Sequence, residues 1–294
     1  MTAVRIERVG FIGLGVMGGA MCRNLIAKGA WPVIAFDRDP EALARITGAG
    51  AAAAGSAVEV VAAADAVITC LPGGAEVRAL VLGPGGVLGA LRAGRYLIEM
   101  STSPPALMRE IAAAAAERGA LFADAPVART RAAAVDGTLA IMVGAESAVF
   151  EALRPLLATM GTEVVRCGGP GAGQVVKILN NSVLFQTVAA LAEAIALAEH
   201  AGVDGSVLLD TLSKGSGDSF ALRNHGRKSL LPQCYPERAF SVRYAAKDLS
   251  YALELAAEQG LEAPGAARVA ELFERAIAAG DGDRYFPVIR KHLV

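Results

Sequence analysis

The segment Gly13-Leu14-Gly15-Val16-Met17-Gly18 follows an apolar run over residues 9–12 and opens a helix-forming stretch, and the next apolar run, 33–36, ends against Asp37, 19 residues beyond Gly18. A strand, a glycine turn, a helix and an acid-tipped strand, in that order, form the first unit of a dinucleotide-binding parallel sheet. Each glycine has its own task. Gly13 makes the tight turn, Gly15 lets backbone approach a pyrophosphate, and Gly18 permits close packing of helix on strand. The helix start offers unpaired N–H groups to the phosphates, with Leu14, Val16 and Met17 completing the cofactor contacts. Asp37 would accept hydrogen bonds from the adenosine ribose and repel a 2′-phosphate, which favours NAD over NADP, although the adjacent Arg38 offsets part of that repulsion. The alternative is a glycine turn that holds no nucleotide. The chain contains no Gly-Lys dipeptide, so a Walker-type phosphate loop is excluded.

Further along, short apolar runs at 66–70, 96–99, 121–123, 139–143 and 163–166 alternate with helix-forming segments at 20–28, 40–46, 75–80, 105–118 and 147–159. With the first two runs this predicts seven strands in one mostly parallel sheet, a Rossmann-type α/β domain over 1–168. After the glycine cluster Gly168-Gly169-Pro170-Gly171 the helical period persists to the end of the chain, predicting an all-helical domain over 169–294. Its first helix, 172–201, is long enough to join the two domains.

The 294 residues carry 28 Lys and Arg against 29 Asp and Glu, a net charge of -1, so nothing in the charge balance favours nucleic acid or an anionic membrane. A mean hydropathy of +0.44 reflects alanine-rich stretches, and no uninterrupted apolar run reaches the roughly 18 residues of a bilayer span. The first apolar run carries five glycines, unlike a secretion signal, and Cys22, Cys70, Cys167 and Cys234 are widely separated. These features predict a soluble, cytoplasmic protein with reduced cysteines. No His, Cys or carboxylate cluster has ligand spacing, so no metal is expected.

A nicotinamide-dependent reaction needs a proton donor and acceptor beside the reacting carbon. His200, His225 and His292 lie in neither a glycine-bounded nor a strand-end context. Lys177 is the stronger candidate. It stands near the start of the long helix with Asn181 four residues on, hence on the same face. Its neighbours Val175, Val176, Ile178, Leu179, Val183 and Leu184 are apolar. They predict an amine wedged inside or facing a cavity, where desolvation favours its neutral form.

Taken together, Gly10 to Gly18, Leu71-Pro72, Met100-Ser101-Thr102, Asp124-Ala125-Pro126-Val127, Gly137-Thr138-Leu139, Gly173 to Asn181 and Lys247-Asp248-Leu249 resemble the β-hydroxyacid dehydrogenase family, which includes 3-hydroxyisobutyrate dehydrogenase and tartronate semialdehyde reductase. The resemblance spans nearly the whole chain. It implies a Rossmann domain, a helical domain and an active site between them. It assigns Lys177 as general acid/base and Asn181 as the holder of the substrate oxygen. Leu71, Pro72, Thr102 and Lys247 become cofactor contacts, and Ser101, Thr130 and Asn180 substrate contacts. The same likeness implies a small anionic substrate, while the long apolar helices after residue 172, which need more cover than their own domain supplies, predict a homodimer or homotetramer.

The chain departs from the family at one loop. Where the usual pattern reads Asp-x-Pro-Val-Ser-Gly-Gly, it has Ala128-Arg129-Thr130, so the anion site is expected to be rebuilt around the planar fork of Arg129. A loop arginine paired with Asp124 or Asp136 is the alternative. Arg-Thr followed by Gly-Thr-Leu, together with the glycines at 168–173, resembles the sulfolactaldehyde reductase branch. A sulfonate substrate is therefore the second reading. Two further rivals are an imine reductase, whose scaffold typically replaces the lysine, and a non-catalytic nucleotide-binding module.

Overall fold

The computed structural model describes residues 5–293, which divide into two compact units between Lys177 and Ile178. In the first, β1 (Val9–Ile12), β2 (Val33–Phe36), β3 (Ala52–Ala53), β4 (Ala66–Thr69), β5 (Tyr96–Glu99) and β6 (Leu121–Asp124) are parallel in the order β3-β2-β1-β4-β5-β6. Beyond β6 lie β7 (Val127–Ala128), β8 (Leu139–Gly144) and β9 (Gly161–Gly168), with β8 antiparallel to β6 and β7 and parallel to β9. Among the described residues nine strands thus stand where seven are predicted. The two additional ones, β3 and β7, are two residues long and mostly alanine, too short and too bland to carry a period.

Helices α1 (Val16–Lys28), α2 (Pro40–Thr47), α3 (Ala57–Ala63), α4 (Gly74–Leu82), α5 (Pro105–Glu117), α6 (Arg131–Asp136) and α7 (Ser147–Leu157) connect these strands. Along β5, Tyr96 and Ile98 enter one core while Leu97 enters another, so both faces of the sheet are covered and its strands read as continuous apolar runs. Helix α1 starts four residues earlier than its composition suggests, because Gly18 and Gly19 lie inside it.

Helix α8 (Ala172–His200) is 29 residues long, and the division between units falls inside it. It is the helix among the described residues with the length and hydropathy of a membrane span. Part of its apolar content serves a core: Phe185, Val188, Ala192 and Ile195 are buried in the second unit. There Phe185 meets Phe286 at 5.1 Å and Phe273 at 5.5 Å between ring centroids. Helices α9 (Gly205–Leu212), α10 (Val242–Glu258) and α11 (Pro264–Ala278), with a π-helix over Leu222–Leu230, complete this unit.

Candidate active site

The glycine turn has the geometry its sequence predicts. Gly13 adopts φ +92°, and a Cβ there would lie 2.2 Å from the Cys70 carbonyl oxygen. A Cβ at Gly18 would lie 2.0 Å from the Gly13 oxygen, so neither position admits a side chain. Around Gly15 the space is open, with nothing within 4 Å of the missing Cβ, and α1 begins there without a side-chain cap. Open space above unpaired N–H groups is what a pyrophosphate requires, so these residues fit a dinucleotide. Asp37, at the end of β2, accepts from Leu14 N at 2.5 Å and from Asp39 N at 2.8 Å, so it also braces the turn. Its side chain is half-buried and Arg38 is exposed.

The loop after β4 is held by a buried network. Leu71 N donates to Ser101 Oγ at 2.7 Å, and that hydroxyl in turn donates to Glu99 Oε1. The same carboxylate oxygen accepts from Ser101 N at 3.0 Å and Thr69 Oγ1 at 3.4 Å. The hydroxyl of Ser101, a residue expected to meet substrate, joins the ends of β4 and β5. Thr102, the next residue, is half-buried, and Pro72 is exposed beside half-buried Leu71. Glu99 Oε2 has no hydrogen bond among the described residues, and burial pushes this carboxyl up to about 7. Its register partner on β6, Asp124, is raised to about 6, again mainly by burial.

Two side chains fasten the start of α8 to these strand ends. Asp124 Oδ1 accepts from Gly171 N at 2.6 Å and Oδ2 from Gln174 N at 2.8 Å. The Gln174 amide donates to Ser101 O at 2.7 Å and accepts from Ser103 N at 3.0 Å. Lys177 follows Gln174 by just under one helical turn and is half-buried. The expectation that apolar neighbours enclose it needs correction: Val176, Leu179 and Val183 are 40%, 46% and 63% exposed and point away from any core. Spacing alone does not say which apolar residues of a long helix face inward.

In the second unit, Asn181 donates through Nδ2 to Asp248 Oδ2 at 2.8 Å, and Lys247 Nζ lies 2.8 Å from Asp248 Oδ1. Asp248 is 4% exposed and binds both predicted site residues. Asn180 is exposed and donates to Asn181 Oδ1 at 3.2 Å. Sequence reasoning missed Glu99, Gln174 and Asp248 as site residues and used Asp124 as a motif letter and an alternative partner for Arg129. The available signal was polar residues at the ends of apolar strands and in helices rich in small or apolar side chains.

At the departing loop, Arg129 has φ +87°, a left-handed backbone that suits the glycine of the family pattern. Its guanidinium donates to Thr138 O at 2.5 Å and Thr162 Oγ1 at 3.0 Å and lies 4.0 Å from Glu163, so neither Asp124 nor Asp136 is its partner. Thr130 caps α6, accepting from Ala133 N at 3.3 Å. Among the described residues no group of three His, Cys, Asp or Glu side chains could hold a metal.

An uncapped helix start behind a glycine turn and an acid at the end of the second strand mark a nicotinamide-dinucleotide-dependent oxidoreductase. Residues 8–169 match the NAD binding domain of 6-phosphogluconate dehydrogenase, and residues 171–291 match the NAD-binding domain of NADP-dependent 3-hydroxyisobutyrate dehydrogenase. The chain belongs to the β-hydroxyacid dehydrogenase family. It is 38% identical to the 2-(hydroxymethyl)glutarate dehydrogenase of Eubacterium barkeri, over 94% of this chain and 91% of that protein. It is 35% identical to the NAD-dependent L-serine dehydrogenase of Pseudomonas aeruginosa, over 97% of each. A solved structure of Mycobacterium tuberculosis 3-hydroxyisobutyrate dehydrogenase with L-serine superposes with a TM-score of 0.89 at 34% identity, covering 98% of this chain and 99% of that one.

Proposed function

We propose that this dehydrogenase interconverts a small acid bearing a primary β-hydroxyl with its semialdehyde, using NAD(H) and Lys177 as general acid/base. The observation that carries the reading is the fastening of the first turn of α8 by Asp124 and Gln174, which fixes the lysine beside strand ends shared with the cofactor loops. The relatives' named substrates support the class, since 3-hydroxyisobutyrate, L-serine and 2-(hydroxymethyl)glutarate each pair a carboxylate with a CH2OH group on the neighbouring carbon. When bound, the nicotinamide supplies hydride acceptance in oxidation and hydride donation in reduction. Neutral Lys177 takes the hydroxyl proton during oxidation and returns it during reduction. The Asn181 amide, held by Asp248 at 2.8 Å, is assigned as the holder of the substrate oxygen. Asp37 supports NAD over NADP. The exposed apolar side chains Val176, Leu179, Val183 and Leu197 along α8 support a homodimer or homotetramer, which light scattering would measure. The four cysteines are unbridged, in keeping with a cytoplasmic location.

A sulfonate-bearing aldehyde such as sulfolactaldehyde is the second reading. It is favoured by Arg129 occupying a left-handed backbone position that a glycine would hold without strain. The test is a turnover panel of 3-hydroxyisobutyrate, L-serine, tartronate semialdehyde, succinic semialdehyde and sulfolactaldehyde with NAD(H) and NADP(H), run beside Lys177→Ala. That variant should lose at least 1,000-fold in kcat while binding NADH as the wild type does, on the scale of a lost general acid/base. Near-normal turnover would end the lysine assignment. NADH binding with no turnover anywhere on the panel would point instead to a silent nucleotide-binding module.

A further inference from the structure

We propose that Asp124 is a positioning residue for Lys177: it reaches from the end of β6 to cap α8, fixes where that helix begins, and places a negative charge at the start of the helix that carries the amine. The inference rests on the acid/base reading of Lys177 given above. Its starting point is a helix with no cap of its own. Residues 168–173 read Gly-Gly-Pro-Gly-Ala-Gly, without a Ser, Thr, Asp or Asn to satisfy the first N–H groups of α8. Those groups are met from a distant strand, since Gly171 N and Gln174 N donate to the two oxygens of Asp124 at 2.6 and 2.8 Å.

The surrounding sequence is shaped to this carboxylate. A Cβ at Gly144 would lie 2.3 Å from Asp124 Oδ1, and one at Gly173 would lie 2.8 Å from Oδ2. Glycines on β8 and α8 therefore leave the volume that Asp124 fills. The glycine cluster that resembles one branch of the family thus has a local explanation that needs no particular substrate.

Charge gives the cap a second consequence. The start of a helix is the positive end of its dipole, which opposes formation of an ammonium in the first turns. Lys177 must form that ammonium each time it takes a proton. An ionised Asp124 at the cap offsets the opposition. Among the described residues, Glu99 in register on β5 and Cys167 on β9 also face Asp124, and Arg109 of α5 lies beside Gly171 at the cap. With its carboxyl raised to about 6 by burial, Asp124 is ionised from neutral pH upward.

The test compares Asp124→Asn, Gly144→Ala and Lys177→Ala with the wild-type protein, measuring kcat and KM for oxidation against pH, the Kd for NADH and the thermal midpoint. Asp124→Asn keeps the volume and loses the charge. Gly144→Ala leaves the aspartate in place but pushes a methyl against it, so it reads the same contact if the first variant folds poorly. Both should lose tenfold or more in kcat with the NADH Kd held within twofold. In Asp124→Asn the acid limb of kcat should move to lower pH, by a few tenths to about one unit, because the amine then sheds its proton more easily. Unchanged kcat and an unmoved limb in both variants, with Lys177→Ala inactive, would overturn this inference alone. Parallel losses of thermal midpoint and NADH affinity would overturn it in favour of a merely structural cap. Turnover surviving in Lys177→Ala would remove the acid/base reading and this inference with it.

Discussion

Helices α1 and α8 both start behind glycines, and neither has a capping side chain of its own. At α1 the space beside Gly15 is empty and the first N–H groups are left open. At α8 the corresponding groups are occupied by Asp124, a carboxylate from the same chain. The same electrostatic feature is thus left uncapped by the chain in one place, where an anionic ligand fits, and capped internally in the other. A missing cap in sequence identifies neither outcome; the residues packed around the helix start decide it. At α6 the ordinary solution appears, a threonine cap one residue after a left-handed arginine.

The sharpest way to break the comparison is to fill the uncapped start as α8 is filled. Gly15→Asp adds its side chain where nothing stands within 4 Å, at a φ of -61° that any residue tolerates. It should keep the thermal midpoint and weaken NADH binding at least 100-fold in a fluorescence titration, since a fixed carboxylate then faces the phosphates. Unaltered affinity would mean the dinucleotide does not lie on that helix start.

A smaller effect measures what internal filling costs. The carboxyls of Glu99 and Asp124 are raised in the folded protein, so the folded state holds their protons to higher pH than the unfolded chain does. For Glu99 the resulting penalty is absent below about pH 4.5, grows as pH rises, and is complete above about pH 7. Its upper bound is roughly 3 kcal/mol at 1.36 kcal/mol per pKa unit. Glu99→Gln should therefore gain stability relative to wild type between pH 5 and about pH 7 in denaturant titrations. A difference that stays flat with pH would show that Glu99 is ionised at no such cost.

The smallest effect concerns the left-handed residue ahead of α6. Arg129→Ala and Arg129→Gly lose the same guanidinium contacts, but only glycine is at ease at φ +87°. The glycine variant should be the more stable by about 1 kcal/mol, and both should raise the substrate KM if the arginine meets the anion. Equal stabilities would show that the loop relaxes once the side chain is gone.

Legibility followed the range of the interactions. The buried strands β1, β2, β4 and β5 are visible as apolar runs because both faces of the sheet are covered, and the glycine turn is visible because its steric demands are local. The two-residue strands β3 and β7 are not, since pairing with a neighbour defines them and their own residues do not. The site divided in the same way. Lys177 and Asn181 stand out as candidates by their spacing on one helix, whereas Asp124 acts on residues 47 and 50 positions away and Asp248 on one 67 away. The surroundings of Lys177 were misjudged for a related reason, because apolar side chains on α8 face outward as well as inward.

Gln174 is tied to the backbone of Ser101 and Ser103, and less than one turn separates it from Lys177. Inserting or deleting a single residue between them would swing the amine about 100° around the helix axis while leaving composition and helicity almost untouched. The reading frame of that one turn is therefore closed to length variation, and any drift in this enzyme's chemistry has to come through exchange of side chains at fixed positions.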